Sequence, residues 1–220
     1  MLSRSIHRCQ GAAAVEFFIV SLFALLPLLL GTLQIALLLV ANNHVDYAAF
    51  SAARRGAISN GDMGAMKLEF AKALSPLFVT SEESLDRENV TMRVVQAFAK
   101  ATLEVGLYTR FAILSPTTAA RQDFVIEREG RKVIPSDSLN VRETAIGNAS
   151  GQTLGEANLL KLQVVYCHSL IVPFARQLLI AAVRQVDRDP WHNLCYSLGR
   201  IPLRSVGVSP MQSDFFVDRD

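Results

Sequence analysis

Residues 11–41 read GAAAVEFFIVSLFALLPLLLGTLQIALLLVA, and this stretch decides how the rest of the chain is organised. From Phe17 to Ala41 it contains 25 consecutive residues without a charged side chain. A helix rises about 1.5 Å per residue and the hydrocarbon core of a bilayer is about 30 Å thick, so about 20 residues are enough to cross it. The stretch therefore predicts one membrane-spanning helix, with the lipid bilayer as a partner. Pro27, inside the run, predicts a local kink or loosening of that helix.

The segment before the apolar run is basic, whereas the rest of the chain is balanced in charge. The sequence has 22 lysines and arginines against 20 aspartates and glutamates, and Arg4 and Arg8 account for the whole excess. Short basic flanks stay in the cytoplasm, so residues 42–220 are expected on the other side of the membrane. A balanced domain lacks the basic stripe of a nucleic-acid-binding protein, and we expect no nucleic-acid partner.

The residues just before the span indicate a processing site. A secretory signal peptide has an apolar region of about 7 to 15 residues, and the run here is too long for that class. Gly11 is followed by four small or apolar residues, then by Glu16 and Phe17. This order resembles the processing site of type IV prepilins, in particular the form found in tight-adherence (Tad/Flp) pilus systems. The resemblance implies that a prepilin peptidase cleaves between Gly11 and Ala12 and that residues 1–11 are a leader.

Glu16 is a carboxylate at the edge of the apolar span. A charged carboxylate in lipid costs at least about 2.5 kcal/mol, so it needs a partner or must reach the headgroups. Cleavage after Gly11 would create an α-amino group on Ala12, and Glu16 of a neighbouring subunit could pair with it. Such a pair would set the stagger between adjacent helices. The alternative is that Glu16 extends to the headgroup layer and has no role in assembly.

The helix is expected to continue beyond the membrane. A face of small apolar residues follows Ala41, and Arg54-Arg55-Gly56 is typical of a helix end. Residues 12–56 are therefore predicted to be a transmembrane and extended helix, followed by a domain over residues 57–220. The small face permits close packing against the chain's own domain or against another subunit. Its residues are Val45, Ala48, Ala49, Ala52 and Ala53.

The domain is predicted to be α+β, with helices packed on a small, mostly antiparallel sheet. Apolar spacing favours helices over residues 64–78, 117–123 and 174–188, and strands over residues 110–115, 159–172 and 201–213. Residues 90–106 fit a helix or a strand. Residues 127–157 are expected to be largely loop, and residues 214–220 are expected to fray.

The two ends of the chain together resemble the TadE-like minor pseudopilins. Besides the leader and span, the resemblance rests on the strand Leu159–Cys167, the helix after Pro173, and the terminal segment from Ile201-Pro-Leu to Met211-Gln212-Ser213. It implies a pilus-assembly component with its domain in the periplasm, anchored in the bacterial inner membrane and acting in secretion, adhesion and biofilm formation. The implied partners are the prepilin peptidase, other pseudopilins, the major pilin and the inner-membrane assembly platform. The alternative is an unprocessed periplasmic adaptor of a secretion or envelope complex, permanently anchored in the membrane.

Cys167 and Cys195 are the two cysteines beyond the span, and an oxidising compartment favours a disulfide between them. Such a bridge would close a loop of 27 intervening residues, worth roughly 3 kcal/mol in the chain-entropy model. A zinc site with the adjacent His168 and His192 is the alternative. Adjacent residues of an extended strand point to opposite faces, which disfavours a tetrahedral set, so no metal is assigned.

The remaining motifs point away from catalysis. Residues 147–151, GNASG, lack the lysine of a phosphate-binding loop, and neither a hydrolase nucleophile elbow nor a zinc-protease motif occurs in the sequence. Asp187 and Asp189 are expected to be solvated charges at a helix end. We therefore expect a structural protein with no cofactor and no enzymatic activity.

Overall fold

The fold is described from a computed structural model, which describes residues 10–79, 87–137, 139 and 145–219. The predicted leader lies outside the described residues up to position 9, as do residues 80–86 of the domain. Two compact units make up the chain: one contains the residues up to Leu39 with Ser169–Ile201, and the other contains Val40–His168 with Pro202–Asp220.

The described chain contains eight α-helices and six strands, with one π-helical turn and two short 3₁₀ helices. The helices are α1 Gln10–Val20, α2 Leu26–Ile58, α3 Met63–Leu74, α4 Arg87–Tyr108, α5 Thr118–Phe124, α6 Leu154–Ala157, α7 Pro173–Arg184 and α8 Pro190–Ser197. The strands are β1 Thr109–Ser115, β2 Ile126–Arg128, β3 Arg131–Ile134, β4 Leu159–Ser169, β5 Arg200–Pro210 and β6 Phe215–Phe216. The π turn is Ser21–Leu25, and the 3₁₀ helices are Ser75–Phe78 and Val217–Arg219.

The α+β prediction is confirmed, with two three-stranded sheets in place of the single sheet expected. The larger has the order β1-β4-β5, and β1 runs antiparallel to β4 with Thr109 opposite Tyr166. The smaller has the order β2-β3-β6, in which both pairs are antiparallel. The central strand β4 alternates from Leu159 to Val164, as its sequence predicts, with Leu160, Leu162 and Val164 in the core; from Val164 to Cys167 every residue is buried.

The outer part of α2, from Val40 to Ile58, is a core element of its unit. Its small face is buried, so the prediction that it packs against the chain's own domain is confirmed. Gly207 of β5 lies so close to α2 that an added Cβ would overlap the Ala49 carbonyl group. The strand therefore approaches the helix backbone where neither carries a large side chain. The buried residues of this face are Ala41, Val45, Ala48, Ala49, Ala52, Ala53 and Ala57.

The predicted end of the extended helix is nearly correct, because α2 ends at Ile58. Asn60 and Gly61 follow in the left-handed region, with φ of 57° and 76°, and the Gly61 N–H bonds to the Gly56 carbonyl. Glycine is required at position 61 because a Cβ there would also collide with the Phe215 ring. The Ala57 carbonyl accepts hydrogen bonds from the backbone N–H groups of Gln212 and Ser213.

Helix α3 follows its prediction, and residues 90–106, which fitted either a helix or a strand, lie in helix α4. Met66, Phe70 and Leu74 are buried on one face of α3, which ends where Pro76 begins a 3₁₀ turn. The Phe70 ring packs edge-on against Phe111 of β1, with ring centroids 5.3 Å apart. These contacts place α3 against the larger sheet.

The expectation of a loop over residues 127–157 is wrong in part. A hairpin forms there from β2 and β3, and α6 begins with a capping box between Thr153 and Glu156. The hairpin is stabilised by β6, which lies about 80 residues further along the chain, with Val133 opposite Phe216 and Ile134 opposite Phe215. Local periodicity carries no information about a partner at that distance.

The expectation that residues 214–220 fray is also wrong over the described positions. Phe215 is buried, and the Asp214 carboxylate accepts hydrogen bonds from the Arg128 guanidinium at 2.7 Å and from the Ser136 N–H at 2.9 Å. The Asp214 carbonyl also accepts one from the Asn60 side chain. The end of the chain is therefore attached both to the hairpin and to the end of α2.

Candidate functional site

The N-terminal helix carries the feature that sets this chain apart from an ordinary soluble domain. Among the described residues, one helix is long and apolar enough to cross a membrane, and it covers Ala14–Ile58. Only 6% of its most apolar window is buried inside the chain. The side chain of Phe17, for example, is 73% exposed. A core helix of a soluble protein would be covered, so this helix is consistent with a single-pass membrane anchor.

The predicted processing and pairing residues all lie in α1. Gly11 and Ala12 lie in the first turn of this helix, and Glu16 and Phe17 lie about one turn later. Ala12 and Glu16 are four residues apart, so they lie on the same face of the helix. Glu16 is exposed, and none of the residues that the structure describes forms an ion pair with it. The carboxylate is therefore available to a group from outside the described chain.

Pro27 loosens the helix as predicted. Proline lacks the N–H of an ordinary helical residue, and its ring crowds the carbonyl four residues earlier. The chain responds with the π turn Ser21–Leu25, which the Leu26 N–H closes by donating to the Ser21 carbonyl five residues back.

Gln34 is the polar residue of the span that makes a specific contact elsewhere in the chain. Its side chain is 1% exposed, and its Oε1 accepts a hydrogen bond of 2.9 Å from the Val172 N–H. Val172 is the residue before α7. The apolar helix is therefore joined to the segment that leads into α7 by a buried hydrogen bond between residues 138 positions apart.

A second polar cluster lies around α8, and it corrects two sequence expectations. Cys195 belongs to this helix, although the sequence predicted no helix between residues 188 and 201. Asp187 is bonded rather than freely solvated, since it accepts hydrogen bonds from the Tyr196 hydroxyl at 2.7 Å and contacts His192 Nδ1 at 2.6 Å. Asp189 caps the helix by accepting from the N–H groups of Trp191 and His192.

Hydrogen bonding and burial shift the pKa values of this cluster in opposite directions. The pKa of the Asp187 carboxyl is lowered, first by the hydrogen bond from Tyr196 and then by the Asp189 N–H and His192, with partial desolvation opposing them. The pKa of the Tyr196 hydroxyl is raised, first by burial and then by the adjacent Asp187 carboxylate. The ionised carboxylate and the neutral phenol are therefore the forms that the fold stabilises.

Both predicted disulfide cysteines are buried and disulfide-bonded, Cys167 near the end of β4 and Cys195 in α8. Disulfide sulfurs do not act as thiolate ligands, so the zinc alternative loses its two sulfur donors. The pairing of these cysteines with each other stays a prediction.

The loop at residues 147–151 binds an anion, but the anion is the chain's own. The Asp123 carboxylate accepts hydrogen bonds from the Ala149 N–H, the Ser150 N–H and the Ser150 hydroxyl, the last at 2.7 Å. These bonds lower the pKa of the Asp123 carboxyl, the Ser150 hydroxyl contributing most. These donors are therefore occupied by a carboxylate of the chain itself.

Comparison with known proteins identifies one part of the chain. Residues 11–54 match the family model described as TadE-like protein. This N-terminal segment is similar to TadE-like proteins, and it is called the TadE-like segment below. The match begins at the predicted processing residue Gly11 and covers about a fifth of the chain. Searches of curated proteins and of solved structures each find no significant match.

The match confirms the resemblance drawn from the N-terminal motif. The match ends at residue 54, so the resemblance of the strand at Leu159–Cys167 and of the terminal segment stays an expectation. The segment includes the whole apolar span and most of the alanine face of α2.

Sequence reasoning named the local features of the TadE-like segment and missed the residues that work through distant partners. The sequence indicated that Gln34 needs a hydrogen-bond partner, because it is an amide within an apolar run, but it did not indicate that Val172 is that partner. The sequence also contained a signal for helix α8, because Asp189 followed by Pro190 is typical of a helix start.

Proposed function

We propose that this protein is a membrane-anchored minor pseudopilin of a tight-adherence (Tad/Flp) pilus system, with its domain in the periplasm. The observation that carries the proposal is the TadE-like match, which starts at Gly11 and continues through the exposed apolar helix. The role is structural. A prepilin peptidase removes residues 1–11, and the mature chain begins at Ala12 in the inner membrane.

Assembly uses the inner part of the helix. The outer part of α2 already contacts the chain's own domain through its alanine face, whereas most described side chains of the inner part are exposed, Gln34 being an exception. Contacts with other pseudopilins and the major pilin therefore fall to the inner part, where the assembly platform also meets the chain. In that setting Glu16 pairs with the Ala12 amine of a neighbouring subunit, because both charges are poorly solvated there.

The first experiment reads the mature N-terminus. Full-length protein is purified from membranes of its native host, or of a host that also expresses a prepilin peptidase, and its N-terminal peptide is identified by mass spectrometry. We expect the peptide to begin at Ala12. Recovery of Met1 in every molecule would reject processing and favour the unprocessed adaptor of a secretion or envelope complex.

The second experiment tests Glu16 in assembly. The Glu16→Gln variant keeps the side-chain shape and removes the charge, so we expect normal membrane insertion together with a large loss of pilus assembly. Assembly is measured as pili sheared from cells and as co-purification with the major pilin. Glu127→Gln is the matched control, because Glu127 is exposed on β2 in the outer domain and should not affect assembly. Equal assembly in the two variants would remove the pairing role.

A further inference from the structure

Helix α7 exposes an apolar stripe. Leu178 is 68% exposed and Val186, in the turn after the helix, is 84% exposed, with Ala182 exposed between them. The three residues are spaced four apart, so they lie along one side of the helix. A helix of a soluble domain would normally turn such a stripe toward its core.

The rest of the chain packs on another side of α7. Arg176, Ile180 and Arg184 line a groove with Leu198 and Gly199, the residues that follow α8. The turn after α7 is fixed in helical geometry, since the Val186 N–H donates to the Val183 carbonyl. The side of α7 that carries both arginines thus faces α8, and the leucine side faces outward.

The hydrogen bond between Gln34 and Val172 sets the level of α7 relative to the membrane. Gln34 lies 17 residues beyond Phe17 in the same helical segment, which corresponds to about 26 Å of helix. With Phe17 taken at the inner edge of a hydrocarbon core about 30 Å thick, Gln34 lies near the outer edge. Pro173, the first residue of α7, directly follows the residue that Gln34 bonds. Helix α7 therefore starts at the membrane surface.

The charge of this segment fits an anionic surface. Residues 169–201 contain four arginines and two aspartates, with neither lysine nor glutamate. The chain after Gly11 is otherwise slightly acidic, so this segment is more basic than the rest of the chain beyond Gly11. Helices that lie in the headgroup layer of anionic membranes typically carry basic residues on the polar face and apolar residues on the opposite face, and α7 has this arrangement.

We propose that α7 lies in the outer interfacial layer of the membrane that its own helix spans, with Leu178, Ala182 and Val186 inserted at the boundary of the acyl chains. The inference rests on the membrane anchoring proposed above and is independent of processing and of the pilus. The membrane contact of this protein then has two parts, a spanning helix and a surface helix, joined by the bond between Gln34 and Val172.

The test uses tryptophan fluorescence of the full chain in vesicles of phosphatidylethanolamine and phosphatidylglycerol. The chain has a single tryptophan, Trp191, and no described residue hydrogen-bonds its indole nitrogen, so Trp191→Phe provides a dark background. In that background, Leu178→Trp and Ala182→Trp each report on the exposed stripe. The matched control is Gln177→Trp, because Gln177 lines the groove toward α8.

We expect lipids brominated near the headgroup to remove most of the emission of both stripe variants, with a blue-shifted maximum, and to affect the Gln177→Trp variant much less. Equal weak quenching at all three positions would overturn the proposal. A blue shift that depends on the protein-to-lipid ratio and not on brominated lipid would overturn it as well, in favour of contact with a second copy.

Alkaline carbonate extraction of the same vesicles separates this proposal from the anchoring on which it rests. Protein that stays in the membrane while its stripe variants are unquenched refutes the surface helix alone. Protein released by carbonate refutes the anchoring and the surface helix together.

Discussion

The inner and outer parts of the N-terminal helix both carry apolar residues, yet these residues meet different surroundings. The outer part, from Val40 onward, is lined with alanines that are buried against the chain's own domain. The inner part carries leucines and phenylalanines that the chain leaves exposed. Side-chain size separates the two, because only the alanine face allows a strand to approach the helix backbone closely. The same helix thus has one part that packs within the fold and one part that the chain leaves exposed.

The largest effect is expected at the contact between Gly207 and Ala49, which tests whether the alanine face allows β5 to approach the helix backbone. A Gly207→Ala substitution places a methyl group on the Ala49 carbonyl, and overpacking of this kind costs typically about 1–3 kcal/mol of unfolding free energy. Urea unfolding of the full chain in detergent micelles, followed by circular dichroism, measures the loss.

The control for that experiment is the same substitution at Gly106 in α4, where nothing lies within 4 Å of an added Cβ. Alanine is the better helix former, so Gly106→Ala should leave the stability unchanged or raise it by about 0.5–1 kcal/mol. If both variants lost the same stability, close approach of strand and helix would not explain the buried alanine face.

The same comparison shows what the sequence could predict. The span, α3 and β4 were predicted because their apolar residues recur at local spacings that decide helix, strand or membrane. The site motif from Gly11 to Phe17 was likewise local. Contacts between distant segments could not be predicted from local spacing. The hydrogen bond between Arg128 and Asp214 joins residues 86 positions apart. Neither the β2–β3 hairpin nor the folded structure of residues 214–219 is therefore indicated by the residues of that segment alone.

Gln34 is an exception to the difference between the two parts, because it lies in the inner part and yet forms a hydrogen bond within the chain. A Gln34→Leu substitution leaves the buried Val172 N–H without its acceptor, at a cost of about 1–3 kcal/mol, while making the span more apolar. We expect unchanged membrane insertion and faster hydrogen exchange at Val172 and the start of α7, measured by mass spectrometry in micelles.

Thr32→Val is the matched control for Gln34→Leu. The Thr32 hydroxyl donates to the Leu29 carbonyl within the helix, so its loss removes a polar group from the span without touching the segment before α7. Exchange at Val172 should stay slow in this variant. Fast exchange at Val172 in both variants would show that general changes in the span, and not the Gln34 acceptor, control this segment.

The smallest effect is expected at Asp187. This residue should make the stability of the unit that contains the inner helix depend on pH. Its carboxyl has a lowered pKa in the folded state, chiefly because Tyr196 donates a hydrogen bond to the ionised form. A lowered folded pKa contributes stability that is fully present above the unfolded pKa of about 3.9 and is lost as the pH falls through the folded value.

Asp187→Asn lacks this contribution at every pH. Its thermal midpoint should therefore lie below that of the unsubstituted protein at neutral pH, and the two should converge in acid. Glu127→Gln, which alters an exposed carboxylate of the outer domain, should show no such convergence. A gap between the Asp187→Asn and unsubstituted midpoints that stayed constant down to acid pH would assign the effect to lost packing, leaving the charge of Asp187 without a part in holding α8.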